Sequence, residues 1–219
     1  MRNLDFYEFA GIVVPGAVTL FLLWLLFPWI WPTALGKDSL SAGGFGVFVV
    51  VGYGAGHLVQ GLGNLLESAY WRLQRGMPTD WLRRSTQNLI SDEQVGRLQQ
   101  QMHVLFGYQF DKGISDLTKR EWSSITRQIY ATVQGAGRAQ RIDIFNGNYG
   151  MLRGLATSLL ISLVALPASH IKSWPLALAM AGALTLSVIR MHRFGTHYAR
   201  ELFIQFLILP SSAPNGGRE

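Results

Sequence analysis

Four long intervals without a charged side chain constrain this sequence more than any other feature. They lie between residues 8 and 37, 38 and 67, 153 and 172, and 172 and 190. Each is close to the roughly 20 residues that an α-helix needs to cross a lipid bilayer. The pattern therefore predicts four transmembrane helices: Phe9–Trp31, Gly43–Leu66, Gly154–Ile171 and Trp174–Ile189.

The composition agrees with a polytopic membrane protein. Of the 219 residues, 49% are hydrophobic and only 15% are charged, which is less charge than a soluble domain usually carries. The predicted fold is all-α, with four transmembrane helices and a small helical cytoplasmic domain between the second and the third. The predicted segments are an N-terminal transmembrane hairpin (1–66), the helical cytoplasmic domain (67–149), a C-terminal transmembrane hairpin with an amphipathic tail helix (150–209) and a disordered tail (210–219).

The distribution of lysine and arginine predicts the orientation. Only Lys37 and Lys172, of 19 such residues, lie in the two short connections between predicted spans. The others lie in the N-terminus, the middle segment and the tail, which the positive-inside rule places in the cytoplasm, so both termini are predicted to be cytoplasmic. The same bias accounts for the formal net charge of +6, and nucleic acid is therefore disfavoured as a partner.

The middle segment contains two clear sequence signals for the start of a helix. Ser91 with Gln94 and Thr118 with Glu121 have the spacing of capping boxes. The helix that follows the second box should bury one face, made of Trp122, Ile125, Ile129 and Val133. Two glycines in C-cap position are predicted to end these helices, Gly107 and Gly135. Earlier in the chain, Pro15 should kink or restart the first helix because it removes a backbone donor.

A polar stripe runs along the second predicted span. On a helical wheel its members fall opposite a broad apolar face: Tyr53, His57, Gln60, Asn64 and Glu67. Glycines that would let neighbouring helices pack closely flank the stripe on both edges: Gly52, Gly56 and Gly63 on one, and Gly43, Gly54 and Gly61 on the other. Polar groups at membrane depth are costly unless they face a bundle interior or a wet cavity. The stripe therefore either lines a pore between subunits or forms hydrogen bonds within one subunit.

A second set of polar residues lies near the cytoplasmic ends of the last two spans. Its members are Arg153, Arg190, Arg193, His197 and Arg200, the last four on one helix face. They are interpreted either as positive-inside anchors that meet lipid phosphates or as a site for an anionic effector or an acidic partner surface. The apolar residues beyond them indicate a tail helix that lies along the membrane or docks on the cytoplasmic domain.

The inventory of chemical groups argues against an enzyme. No HExxH, GxSxG or phosphate-binding loop occurs, and the glycines Gly52, Gly54 and Gly56 lie inside a predicted helix instead of between a strand and a helix. The absence of cysteine excludes thiolate metal sites and cysteine catalysis. We therefore predict no cofactor, no metal and no catalytic residue.

The start of the chain resembles that of small bacterial multispanning proteins. Tyr7-Glu8-Phe9, Gly11 and Pro15-Gly16 lead directly into a hydrophobic helix, as in membrane sensors or membrane-disrupting effectors encoded in antiviral-defence operons. The stretch Gly56-His57 and the segment Arg193 to Arg200 are compatible with that group. The resemblance implies a bacterial inner-membrane protein that works with a soluble partner and whose activity affects membrane integrity.

Two functional hypotheses follow from these features. The first is a homo-oligomeric inner-membrane protein that responds to a cytoplasmic signal or protein partner and alters membrane permeability. The second is a non-conducting scaffold or sensor that recruits a soluble effector through residues 79–149 and the arginine-bearing tail. A small transporter component is disfavoured because neither an inverted repeat nor a broken central helix is evident.

Overall fold

The protein is all-helical in the residues that its computed structural model describes, 9–30, 42–84, 89–109 and 113–210. These ranges contain no β-strand, which confirms the predicted fold class at this level. The helices are α1 (Val14–Leu26), α2 (Ala42–Leu73), α3 (Pro78–Arg84), α4 (Asp92–Phe106), α5 (Lys119–Gly135), α6 (Gln140–Ala165) and α7 (Trp174–Leu207). The predicted disordered tail lies outside the described residues except for Pro210.

Three helical segments are long and apolar enough to cross a membrane, and they are Gly44–Arg84, Gln140–Ala168 and Trp174–Leu207. They overlap the second and third predicted spans and contain the fourth. The first predicted span corresponds to a shorter apolar helix, Gly11–Leu26. A π-helical turn, Phe9–Val13, precedes α1, and Pro15 lies in the first turn of α1. The chain thus changes helix type beside Pro15, where a lost backbone donor was expected to restart the helix.

The chain forms two compact units. The first contains the described parts of Met1–Tyr70 together with Gly147–Phe194. The second contains those of Trp71–Asn146 and Gly195–Glu219. The second unit is therefore built from two stretches that are distant in sequence, the middle of the chain and the end of α7.

Close contacts between small residues hold the first unit together. Gly16 on α1 lies against Gly52 and Gly56 on α2, so closely that a Cβ on Gly16 would come within 2.5 Å of the Gly56 nitrogen. Ser158 of α6 places its hydroxyl oxygen 2.8 Å from that of Thr19 on α1 and 3.0 Å from the Pro15 carbonyl oxygen. Short side chains and interhelical hydroxyl contacts are the means by which membrane helices pack.

The second unit buries α4 and α5 against the end of α7. The face of α5 predicted from its periodicity is buried as expected: Trp122, Ile125, Ile129 and Val133. Phe203 stacks on Trp122 with ring centroids 5.8 Å apart, and Phe206 stacks on Phe106 at 5.6 Å. The buried Gln101 amide donates to the carbonyl oxygens of Phe206 and Leu209 at 2.8 and 3.0 Å. The tail helix therefore docks on the middle helices, one of the two positions that its apolar residues allowed.

The helix ends of the second unit largely follow the prediction. Both capping boxes form, Ser91 with Gln94 and Thr118 with Glu121, and Gly107 caps α4 in the left-handed conformation. Helix α5 ends at Gly135 as predicted, but the C-cap position belongs to Ala136 and not to Gly135. Gly135 is the last helical residue, and Gly137, at φ 71°, takes the left-handed position and donates to the Gln134 carbonyl oxygen. Gln134, Gly135 and Ala136 are all exposed, so the last residue of α5 that is buried in the core is Val133.

The capping box at Thr118 predicts a pH dependence of stability. The hydrogen bonds that Thr118 donates to Glu121, from its backbone first and then from its side chain, lower the pKa of that carboxyl below its ordinary value of 4.5. Because the folded pKa is the lower one, this stabilisation is complete above about pH 4.5 and is lost as pH falls through the folded pKa. We expect Glu121→Gln to lower the melting temperature slightly at pH 7 and not at all in strong acid, where both side chains are neutral. A temperature difference that stays constant with pH would contradict this assignment.

Candidate functional site

The structure divides the polar stripe of α2 between two environments. Tyr53, His57 and Asn64 are exposed, whereas Gln60 and Glu67 are partly buried inside the first unit. At about 100° per residue, Gln60 and Glu67 are rotated about 20° and about 40° from Tyr53 around the helix axis. The rotation is toward the edge that carries the buried glycines Gly52, Gly56 and Gly63. That small rotation decides which side chains find partners in their own chain.

Gln60, Glu67, Tyr149 and Arg153 form an interior polar cluster. The Arg153 guanidinium donates through Nη1 to Glu67 Oε2 and through Nη2 to Gln60 Oε1, the latter at 2.5 Å. The Tyr149 hydroxyl donates to Glu67 Oε1 at 2.6 Å. Gln60 Nε2 donates to the carbonyl oxygen of Gly11 and lies 3.4 Å from that of Gly150. One side chain of α2 thus connects the start of the chain to α6.

The cluster is largely removed from solvent. The side chains of Arg153 and Glu67 are 20% and 15% exposed, and the buried Nε of Arg153 has no hydrogen-bond partner in the described part of the chain. Gly154 leaves the space that Gln60 occupies, because a Cβ there would lie 3.0 Å from Gln60 Nε2. Because the Glu67–Arg153 ion pair is largely buried, the loss of either residue would leave an unpaired charge in a poorly solvated site.

The open face of α2 lies on the other side of the stripe. Tyr53 and His57 form an edge-to-face pair with ring centroids 4.6 Å apart. Beside them, Gly54 and Gly61 have no described neighbour within 4 Å of the position that a Cβ would take. The opposite glycines, Gly52, Gly56 and Gly63, are all buried. The sequence presents two equivalent glycine edges, and the chain itself covers one of them.

The predicted arginine set has separate partners. Arg153 belongs to the interior cluster, Arg190 lies over the Phe194 ring at 5.4 Å, and Arg193 is exposed. In the second unit, His197 stacks on Phe145 with centroids 5.5 Å apart, and Arg200 Nε donates to the Leu89 carbonyl oxygen at 3.1 Å. Within the first unit, the guanidinium of Arg153 is engaged by Glu67 and Gln60, whereas Arg200 borders a groove in the second unit.

That groove was not anticipated from the sequence. It has a volume of about 480 Å³ and is lined by Leu89, Ile90, Ser91, Asp92, Gln94, Arg200 and Ile204. Its two parts are more than 100 positions apart in the chain, so no local motif could have indicated it. The interior ion pair was also missed, although Glu67 and Arg153 are opposite charges at the ends of two predicted spans and offered a signal for it.

Comparison with protein-family models, with curated proteins and with solved structures finds no match to this chain. Among the described residues, no group of three or more histidine, aspartate or glutamate side chains is placed to hold a metal ion. The fold and the sites above define an all-helical protein with three helices long and apolar enough to cross a membrane. Any more specific function has to be argued from its own geometry.

Proposed function

We propose that this chain is a four-span, homo-oligomeric protein of the bacterial inner membrane, with both termini in the cytoplasm, that alters membrane permeability. In this proposal the second unit receives a cytoplasmic signal or binds a soluble protein partner. The resemblance at Tyr7 to Gly16 suggests a role in antiviral defence. The observation that carries the proposal is the exposed polar face of α2.

Polar side chains on a membrane-spanning helix need a polar environment. His57 and Asn64 lie on a helix that is long and apolar enough to cross a membrane, yet both are exposed on the single chain. In hydrocarbon they would lose their hydrogen bonds to water, and the resulting cost is avoided only beside another helix or a wet cavity. A neighbouring subunit or a water-filled axis between subunits would supply that environment.

The open glycine edge supports contact with another helix. Gly54 and Gly61 are seven residues apart, two turns of a helix, and no atom of another described helix lies within 4 Å of their Cβ positions. Glycines at such positions let two backbones approach closely, as Gly16 and Gly56 do within this chain. The edge therefore suits a second copy of the protein better than it suits lipid.

The length of the first helical segment is compatible with a fourth span. Phe9–Val13 and α1 together comprise residues 9–26, which rise about 27 Å at about 1.5 Å per residue. This is close to the roughly 30 Å thickness of the hydrocarbon core. The described residues of this segment carry no charge. An even number of spans would then place both termini on the same side as the basic middle segment.

The decisive variant replaces the exposed polar groups and leaves the interior cluster intact. We expect the double change His57→Leu and Asn64→Leu to reduce dye release from liposomes to the level of protein-free vesicles, because an apolar axis does not hold water. Dye release and the oligomeric mass of the detergent-solubilised protein are the two measurements. Gln60 is left unchanged because it bonds to Arg153 and to the Gly11 carbonyl.

A matched double variant on the lipid-facing side of the same helix is the control. Leu62→Ala and Leu65→Ala alter two exposed apolar residues and should leave dye release unchanged. A monomeric wild-type protein, or a wild-type protein that releases no dye alone or with its partner, would remove the permeability proposal. Unchanged behaviour of the polar double variant would favour the alternative, a non-conducting scaffold that recruits a soluble effector.

A further inference from the structure

The groove beside Arg200 lies wholly within the second unit and shares no residue with the polar face of α2. Leu89 and Ile90, which are 4% and 8% exposed, form its buried floor, and Ile204 of α7 adds a half-buried apolar wall. Ser91, Asp92, Gln94 and Arg200 supply the polar rim. A volume of about 480 Å³ is within the range of sites for small organic molecules and much larger than an inorganic ion requires.

Arg200 is held in place by one hydrogen bond and keeps its other donors. Its Nε donates to the Leu89 carbonyl oxygen at 3.1 Å, which tethers the guanidinium to the rim. The two terminal nitrogens have no hydrogen bond or ion pair with any residue in the described ranges, and the side chain is exposed. A tethered guanidinium whose two amino groups are unengaged within the described ranges matches the geometry of a carboxylate or a phosphate group.

The remaining rim groups further restrict the kind of ligand that fits the groove. Ser91 and Gln94 are already engaged with each other in the capping box of α4. Asp92 lines the same groove as Arg200, yet no ion pair joins them in the part of the chain that the structure describes. Its carboxylate disfavours a second anionic group and can accept a hydrogen bond from a donor on the ligand. The apolar side chains of Leu89, Ile90 and Ile204 can contact a hydrophobic body between these two ends.

We propose that this groove binds a small organic anion, with one carboxylate or phosphate group on Arg200 and an apolar body over Leu89, Ile90 and Ile204. The inference extends the proposed function by giving the chemical class of the cytoplasmic signal, and in that respect it rests on that proposal. Binding itself can be measured without dye release, so either idea can fail while the other stands.

The test uses the full chain in phosphatidylcholine nanodiscs and equilibrium dialysis. The probes are 1-naphthyl phosphate, 1-naphthoate and neutral 1-naphthol, with empty nanodiscs as the blank. At least one of the two anions should bind with one site per chain, and the neutral compound should bind at least about tenfold more weakly, as the loss of a charge-assisted hydrogen bond implies. The phosphate and carboxylate arms distinguish the two possible anionic groups.

Four variants test the roles of the guanidinium and of the apolar wall. Arg200→Ala should weaken binding of the anion at least about tenfold. Arg200→Lys should weaken binding less, because lysine keeps the positive charge but lacks the two parallel donors of the guanidinium. Arg97→Ala is the matched control, since Arg97 is an exposed arginine of α4 that pairs with Glu93 outside the groove. Ile204→Ser should weaken binding of both anions without changing the charge of the rim.

Several results would overturn this inference. They are equal binding of the neutral and anionic probes, unchanged binding by Arg200→Ala, or binding of an acidic peptide where neither naphthyl anion binds. Circular dichroism of each variant shows whether the helices are retained. If Arg200→Ala fails to fold, Ile204→Ser and the comparison of charged with neutral probes decide the question.

Discussion

Gly56→Ala is expected to prevent α1 and α2 from packing in the first unit. A Cβ at this position would lie 2.8 Å from the Ile12 carbonyl carbon and 2.9 Å from Ile12 Cγ2, and closer still to the Ile12 carbonyl oxygen. Two of these atoms belong to a helix backbone, which cannot move aside as a flexible side chain can. Overpacking costs typically 1–3 kcal/mol, and we expect about 3 kcal/mol or more here because the obstacle is backbone. Thermal unfolding in detergent measures the loss.

Helix α7 provides the control for this prediction. Gly182 lies inside that helix, is exposed, and has nothing among the described residues within 4 Å of its Cβ position. Gly182→Ala should therefore keep or raise the melting temperature, because alanine stabilises a helix interior by about 0.5–1 kcal/mol relative to glycine. Equal destabilisation by the two substitutions would mean that Ile12 does not contact Gly56. Gly16→Ala, on the opposing helix, should repeat the effect of Gly56→Ala.

Glu67→Leu is expected to lower the stability of the first unit at least as much as Gly56→Ala does, for an electrostatic reason. It would leave the Arg153 guanidinium, which is 20% exposed, without its carboxylate partner. Removing one member of a buried ion pair typically costs about 3–5 kcal/mol, whereas replacing both members by apolar residues is often close to neutral. The double variant Glu67→Leu and Arg153→Met should consequently be more stable than Glu67→Leu alone. Unfolding free energies of the wild type, both single variants and the double variant form the required cycle.

An exposed pair in the second unit calibrates that cycle. Arg97 and Glu93 are 2.7 Å apart, but their side chains are 70% and 75% exposed. A surface pair of this kind contributes about 0–1 kcal/mol, so Glu93→Leu should change stability far less than Glu67→Leu. If the two glutamate variants are equally mild, the Arg153 site is hydrated and the interior cluster is not a buried pair.

Much of the fold could be predicted because its signals are local. The uncharged intervals indicated where the long apolar helices lie, and the spacing of Ser91 to Gln94 and of Thr118 to Glu121 indicated where α4 and α5 begin. The C-cap of α5 was misplaced by one residue because two glycines, Gly135 and Gly137, lie near the helix end, and the left-handed conformation falls on Gly137. A local pattern locates a helix end only to within one or two residues.

The candidate sites were harder to predict because they depend on contacts between distant residues. A helical wheel gives the two glycine edges of α2 equal status, and only the position of α1 distinguishes Gly56 from Gly54. The same contact separates Gln60 from His57, although both belong to one polar stripe. Arg200 was identified as a candidate for anionic chemistry, but its neighbour Leu89 is 111 residues away and could not be identified from spacing.

The composition of the second unit has a consequence for biosynthesis. Its core includes Phe203 and Phe206, which stack on Trp122 and Phe106, so the aromatic contacts join residues that leave the ribosome far apart in time. Until α7 has been synthesised, α4 and α5 present an unpaired apolar face to their surroundings. Nascent chains that stop before Gly195 therefore lack a folded second unit, and a fragment containing residues 71–146 alone should be captured by chaperones or degraded.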